Sequence, residues 1–462
     1  MVTQRHRLCL LRAKDMTSSG STIVVDLGSW AVRVGYTHQQ MAPKFTMPSV
    51  IGKVKQHHNL LHHHPLMQQQ GGATSPLLRS GNPGSRSDAP RVLVGTDAKS
   101  GICDLTHPIQ DGRFSNCDDV APLLSETFNL LRMDASHCVG LVVTEPVDAQ
   151  VHHRRLLYEL LFEKLRCPSV LVVPQTVMGL FATGNMSGIA IDAGKCTTYV
   201  IAVVDGIALP QTLRKTQIAG HDVTEVVARL LKNGGYRAEF AEKVKEDLCF
   251  ISETPFDATE PGREAARSGD DAAAMADNRT MRLPDGTSIT IGGEDRCGVT
   301  DVLFGGSDQR VSGLGGGGRA AAPNGSGGGG VSGLSIPKAV AWSAMSLEES
   351  LRETLFSQLV GVGSTAMFPG FKERVLFHLK NDEDVGSQSK RFAWVSESAA
   401  ASGRVGGATG RGVASAPSDR NWIGAAMIGS LSSAVPCFVS PQDYAEFGLD
   451  SVCARFRPAL FS

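Results

Sequence analysis

The chain has 462 residues, 42% of them hydrophobic and 20% charged, with a formal net charge of −1. That length can bury the cores of two or more domains, and the near-neutral balance gives no global attraction for nucleic acid or an anionic membrane. The 10 cysteines form no CxxC pair and follow no regular spacing, which fits reduced thiols better than a disulfide framework or a zinc site, and no apolar run reaches the roughly 18–20 residues of a membrane span.

Residues 1–20 are basic, with Arg5, His6, Arg7, Arg12 and Lys14 ahead of the first acid, Asp15. They read as an extension, or as a start placed at Met1 instead of Met16, with an organellar transit segment as the alternative. Ile23 to Tyr36, IVVDLGSWAVRVGY, is an apolar strand ending at Asp26, a turn at Gly28 and Ser29, and a second strand through Ala31, Val32, Val34 and Tyr36. Residues 53–91 are rich in His, Gln, Gly, Ser and Pro and read as a low-complexity loop. His57, His58, His62, His63 and His64 leave transition-metal binding as the alternative there.

Val120 to Met133 has helical spacing, Val139 to Thr144 is a buried strand closed by Glu145-Pro146, and His152 to Leu165 is an amphipathic helix. Val170 to Val173 is a strand followed by Pro174-Gln175 and a helix through Ala182.

Gly188 to Gly206, GIAIDAGKCTTYVIAVVDG, repeats the first layout: a strand, a turn at Asp192, Ala193 and Gly194, then a strand from Tyr199 to Val204. An Asp at the end of a buried strand must be solvated or paired, and a Gly turn lets backbone amides approach an anion. The combination suits a phosphate with its Mg²⁺; an ordinary Asp-Gly hairpin is the bland alternative. Two such units suggest a duplicated architecture that presents two phosphate hairpins to one nucleotide. Candidates are Asp26, Gly28, Ser29, Arg33, Asp192 and Gly194, with Asp26 and Asp192 for the metal.

Further along, Ile218 to Thr224 opens a helix that runs through Leu231, and Lys243 to Cys249 is helical. Residues 257–279 read as a loop and Arg282 to Gly292 as a hairpin. Residues 305–335 and 396–418 are Gly/Ser-rich and Ala/Gly/Ser-rich inserts, unable to pack a core. Trp342 to Val360 reads as one helix leading into the turn Gly363 to Gly370, and helices follow near Trp422–Leu431 and Val439–Glu446.

In this order the segments resemble actin and the actin-related proteins, over roughly residues 22–52, 92–255, 281–304 and 338–454. The resemblance implies an α/β, bilobal actin-like ATPase fold: two related ribonuclease-H-like domains around a nucleotide cleft. The first would hold residues 21–182 and 420–462, with a small mobile subdomain over 49–106; the second would hold 183–419. It also implies ATP or ADP with Mg²⁺. Gln175 would orient the attacking water, Gly220 and Asp222 would line the cleft, and Lys245 and Glu246 would flank adenine and ribose. Gly363, Ser364 and Thr365 would form a third cleft loop.

The departures from that family's pattern fall at the chemistry. Arg33 stands where the family has a phosphate-contacting Lys, Trp30 where it has Gly, Tyr199 where it has a water-positioning His, and Ser364 replaces a loop Gly. Lys195 stands where the family has an acid, which should weaken metal binding and in-line attack or pair directly with a phosphate. The expectation is a divergent actin-related protein, a cytoplasmic cytoskeletal or complex subunit with ATP as structural ligand and weak or absent hydrolysis. Its partners would be other actin-family or complex subunits, without direct nucleic acid or membrane contact. Alternatives are a nuclear subunit of a chromatin-remodelling complex and a kinase of the wider superfamily; the kinase needs a catalytic Asp that does not stand out beyond the hairpins.

Overall fold

The structure, a computed structural model, describes residues 21–37, 42–54, 92–100, 103–255, 273, 276–305, 334–395 and 416–455. The basic extension, the His-rich run and most of the two Gly/Ser-rich inserts lie outside the described residues.

Strand β1 (Thr22–Leu27) turns back antiparallel as β2 (Ala31–Tyr36), with Asp26 opposite Arg33. Strand β3 (Phe45–Pro48) continues the sheet beside β2. A small antiparallel sheet follows, built from β4 (Ile51–Val54), β5 (Val92–Val94) and β6 (Cys103–Thr106), with helix α1 (Gly95–Ser100) between the last two. Helix α2 (Cys117–Leu131) starts three residues before the apolar spacing shows it, because Asn116 caps it by accepting from the Asp118 amide at 2.8 Å. It buries Val120, Leu123, Leu124, Phe128 and Leu131 on one face. Strand β7 (Gly140–Glu145) lies parallel to β1, and helix α3 (Val151–Glu159) widens into a π turn over Leu160–Lys164. Strand β8 (Val170–Pro174), parallel to β7, completes the order β3-β2-β1-β7-β8, and helix α4 (Gln175–Phe181) leaves it.

The second half repeats the plan. Strand β9 (Gly188–Ala193) turns back antiparallel as β10 (Thr198–Val204), with Tyr199 opposite Asp192. The strand thus runs past Asp192 to Ala193, one pair further than the sequence suggests. Strands β11 (Ile207–Ala208) and β12 (Arg214–Thr216) pair with β10. Helices α5 (Gly220–Asn233) and α6 (Ala241–Leu248) follow, then the expected hairpin as β13 (Arg279–Arg282) and β14 (Ser288–Ile291).

The stretch from Trp342 to Val360 is not one helix. It comprises the end of α7 (Ile336–Met345), all of α8 (Glu349–Leu355) and the start of strand β15 (Leu359–Val362). The break falls at Ser346, whose hydroxyl turns back onto the Trp342 carbonyl at 2.7 Å. Leu359 and Val360 are instead buried in the sheet, parallel to β9. The third cleft loop therefore leaves a strand, as the first two turns do.

Helix α9 (Phe371–Lys380) precedes α10 (Arg420–Gly429) and α11 (Pro441–Arg455). Helices α4 and α10 lie between the two large sheets. Val24, Val142 and Val173 from one sheet and Ala190, Ile201 and Val362 from the other share a core with Trp422 of α10. The Trp422 indole is fully buried and donates from Nε1 to the Val24 carbonyl at 3.1 Å, which meets the polar demand of a buried indole. A Cβ on Gly424 would lie 1.8 Å from the Met178 carbonyl oxygen, so the two helices cross with their main chains in contact.

Candidate functional site

The two hairpins and the third loop meet at the base of the cleft between the halves. Asp26, Gly28, Ser29, Arg33, Gln175, Asp192, Gly194, Lys195, Gly363 and Ser364, all singled out in the sequence, line one inner cavity of about 80 Å³. An outer cavity of about 450 Å³ adjoins it and is lined by Gly220, Lys245, Glu246 and Thr365 among others. That outer volume falls in the usual range for small-ligand sites. Trp30, Arg33, Lys195, Ser364 and Ser418 border both cavities.

At the floor, both carboxylates are held by the helices that link the halves. Asp26 accepts from the Thr144 hydroxyl at 2.6 Å and from the Gln175 amide, at the start of α4, at 3.2 Å. Its other oxygen pairs with Arg33 Nη1 at 3.4 Å. Asp192 accepts at 3.2 Å from both Thr176, in the first turn of α4, and Asn421, in the first turn of α10. Burial pushes the Asp192 carboxyl up to about 6, with the Asp26 charge adding and the Asn421 and Thr176 bonds opposing.

The second hairpin is anchored through one carbonyl. The Gly194 oxygen accepts from the Gly220 amide at 3.1 Å and from the Thr365 hydroxyl at 2.7 Å. Gly363 has φ +87°, and a Cβ there would lie 2.4 Å from the Ala193 oxygen. Gly220, Gly363 and Thr365 thus fix the hairpin's position. Asp222 borders neither cavity; its carboxylate accepts the Ala219 amide at 2.8 Å, the acid half of a capping box at the start of α5. Lys245 is buried and bonds Glu242 at 2.6 Å and the Thr224 hydroxyl at 2.9 Å. Burial raises the Glu246 carboxyl, with the Glu242 charge adding.

Two of the departures noted in the sequence, Trp30 and Lys195, meet at one point. The Trp30 indole is within cation–π distance of two ammonium groups, with Lys99 Nζ 4.5 Å and Lys195 Nζ 4.9 Å from the ring centroid. Among the described residues Lys195 makes no ion pair. Burial lowers its pKa, an effect that the Glu242 charge opposes. Burial, and then the Lys195 charge, also lower that of His107 nearby.

Arg33 spans two carboxylates, reaching Asp419 from Nε at 3.0 Å. Tyr199 is buried beside Asp148, and burial followed by that negative charge raises its phenol pKa. Asp148 is also ion-paired with Arg113, and with Lys215 at 3.3 Å.

Several of these groups escape a reading of the sequence. Asp419 and Ser418 fall at the end of the 396–418 insert and its border, yet residues Pro417–Asp419 form a 3₁₀ turn that faces the cleft. Asn421, Asp111, Thr197 and Glu242 join the site through contacts distant in sequence. The Asp111-Gly112 turn and the Asp419 that begins a helix were the available signals.

As to metal, Asp26 and Asp192 are hard oxygen donors with Gln175 alongside, and this set suits a divalent cation held through its waters. Among the described residues no cluster of three or more His, Cys, Asp or Glu would hold one by protein ligands alone.

Two hairpins and a third loop, each leaving the end of a strand and converging between paired sheets, define a bilobal actin-like fold around a cleft. The actin family model matches residues 17–239 and 235–457. The chain belongs to the actin family, whose members typically bind a nucleotide and a divalent cation.

Proposed function

We propose that this chain is a divergent actin-related protein that binds ATP or ADP in the cleft as a structural ligand and hydrolyses it slowly or not at all. It would serve as a cytoskeletal or complex subunit among other actin-family proteins. The phosphates would face the two hairpins and the base the outer cavity near Lys245 and Glu246. A ligand held by both halves stabilises their closed arrangement by mass action. Asp26 and Asp192 would hold the hydrated cation, which when bound neutralises phosphate charge.

One observation carries the reading of slow hydrolysis: the cleft is lined by the Lys195 ammonium and the Tyr199 phenol where the resemblance puts an acid and a water-positioning His. The Gln175 amide nitrogen is shared among Asp26, Thr144 and the Leu27 carbonyl, each at 3.2 Å. Asp111 accepts from Thr197 at 2.6 Å. Tyr199, its phenol pKa raised by burial, is a poor base at neutral pH. General-base catalysis needs a group free to take the water's proton.

The test is ATP binding by calorimetry and phosphate release on the purified chain, beside Asp192→Ala. Saturable ATP binding with turnover far below the ~1 s⁻¹ lower end of typical enzymes, and a weaker hold on Mg²⁺ in the variant, are the expected results. Turnover within the usual enzyme range would refute slow hydrolysis, and no binding would refute the nucleotide reading.

A further inference from the structure

Trp30 and Lys195 stand at the junction of the inner and outer cavities, and both border each of them. A nucleotide with its phosphates at the hairpins and its base outside has to pass this pair. Lys195 is carried on the tight turn after β9, which is closed by the Gly194 amide donating to the Thr197 carbonyl at 3.1 Å. The turn itself is tied to α5, since the His221 amide donates to the Lys195 carbonyl at 2.6 Å. The backbone below the ammonium is therefore fixed, while the ammonium rests on an aromatic face and has no carboxylate partner among the described residues.

Charge bookkeeping gives the consequence. Around the inner cavity Asp26, Asp111 and Asp192 face Arg33 and Lys195, and Arg33 is already ion-paired with Asp26 and Asp419, so Lys195 is the lining cation that no carboxylate pairs among the described residues; reversing its charge would make the balance more negative by two. The more negative such a site is, the more it leans on a divalent cation to accept a polyphosphate, and Lys195 supplies part of that positive charge from the protein. A cation–π contact lacks the short, directed hydrogen bonds that an ammonium makes to phosphate oxygens in a partly desolvated site, and is the weaker of the two. An arriving phosphate therefore draws the ammonium off the indole.

We propose that Lys195 is the principal counter-charge this chain supplies to the nucleotide's phosphates, and that it lowers the dependence of nucleotide binding on the divalent cation. The proposal rests on the nucleotide reading above. Trp30 holds Lys195 in place when the phosphates are absent.

The test is calorimetric titration of ATP into the full chain in Mg²⁺ and in EDTA, with Lys195→Asp and Lys195→Gln alongside. The expected result is a wild-type Kd that moves less than about threefold on removal of Mg²⁺. Lys195→Asp should weaken more than about tenfold in EDTA and recover in Mg²⁺. Lys195→Gln should lose affinity in both buffers. A wild-type chain that loses about tenfold or more in EDTA overturns the proposal and leaves the nucleotide reading standing. Absence of ATP binding in either buffer overturns the nucleotide reading and this proposal together. The wild-type comparison decides the matter even if a variant fails to fold.

Discussion

The Thr197 hydroxyl, at the tip of the second hairpin, donates a 2.6 Å hydrogen bond to the Asp111 carboxylate of the first half. Beside it, Lys215 of β12 reaches Asp148 at 3.3 Å, and the Lys215 ammonium lies 5.3 Å from the Tyr199 ring centroid. The halves are thus tied across the cleft floor by polar contacts between side chains.

Asp148 is the hub of that tie. Asp148→Asn would leave Arg113 and Lys215 facing a neutral amide in a half-buried site. A loss of about 2–3 kcal/mol is expected, at the low end for a broken buried pair because the carboxylate is partly exposed. Urea unfolding of the two proteins checks it, and a difference near zero would show that the hub carries no stability.

Arg33 is more deeply buried, and its partner Asp26 almost wholly so. Arg33→Met should cost about 3–5 kcal/mol by stranding a buried carboxylate. Arg33→Lys should recover only part of this, because an ammonium lacks the planar fork that reaches both Asp26 and Asp419. Thermal melts of the variants would show the ranking, and equal melts for Lys and Met would contradict it.

The buried His153 and the half-buried His378 set a pH dependence. Burial, and then the Arg113 charge, lowers His153 to about 4; burial, and then the Arg374 charge, lowers His378 to about 4. His378 accepts from Arg374 Nε at 3.0 Å, a bond that requires its Nε2 unprotonated. With folded values below the unfolded value near 6.5, their contribution is present above pH 6.5 and is lost as pH falls towards 4. His153 should cost about 2 kcal/mol at pH 5 relative to neutrality, and the more exposed His378 less. His153→Leu should flatten part of that decline in urea midpoints between pH 7 and 5; an unchanged slope would rule His153 out.

Asp192 acts in the opposite sense. Its folded value of about 6 lies above the unfolded value, so its contribution is present at low pH and fades as pH rises through about 6. Asp192→Asn should remove this fading and raise stability at pH 7 by up to about 3 kcal/mol in ligand-free protein. Denaturant titrations at pH 4.5 and 7 are the measurement, and a variant that gains nothing at pH 7 would contradict the expectation.

Much of this site can be read in the sequence because each hairpin is a local pattern: an apolar run, Asp, one residue, Gly, and a β-rich run. Strand β15 cannot, since four apolar residues directly after a helix carry no period of their own. The resemblance places Asp222 in the cleft, but in the structure it caps the helix that starts after the extended Ala219. The Asp419–Arg33, Asn421–Asp192 and Thr197–Asp111 pairs join residues from opposite halves, and no spacing rule reaches that far. In Asp419's case the low-complexity composition before it also concealed the turn.

The Gly194 carbonyl, shared by the Gly220 amide and the Thr365 hydroxyl, makes three loops of the second half into one wall. Lys195 belongs to that wall, whereas Trp30 and Lys99 belong to the opposite one. Parting the halves therefore leaves each wall intact and divides the stack at one place, between the indole and Lys195. The electronic surroundings of a single aromatic ring thus register whether the ligand-free cleft is open or shut.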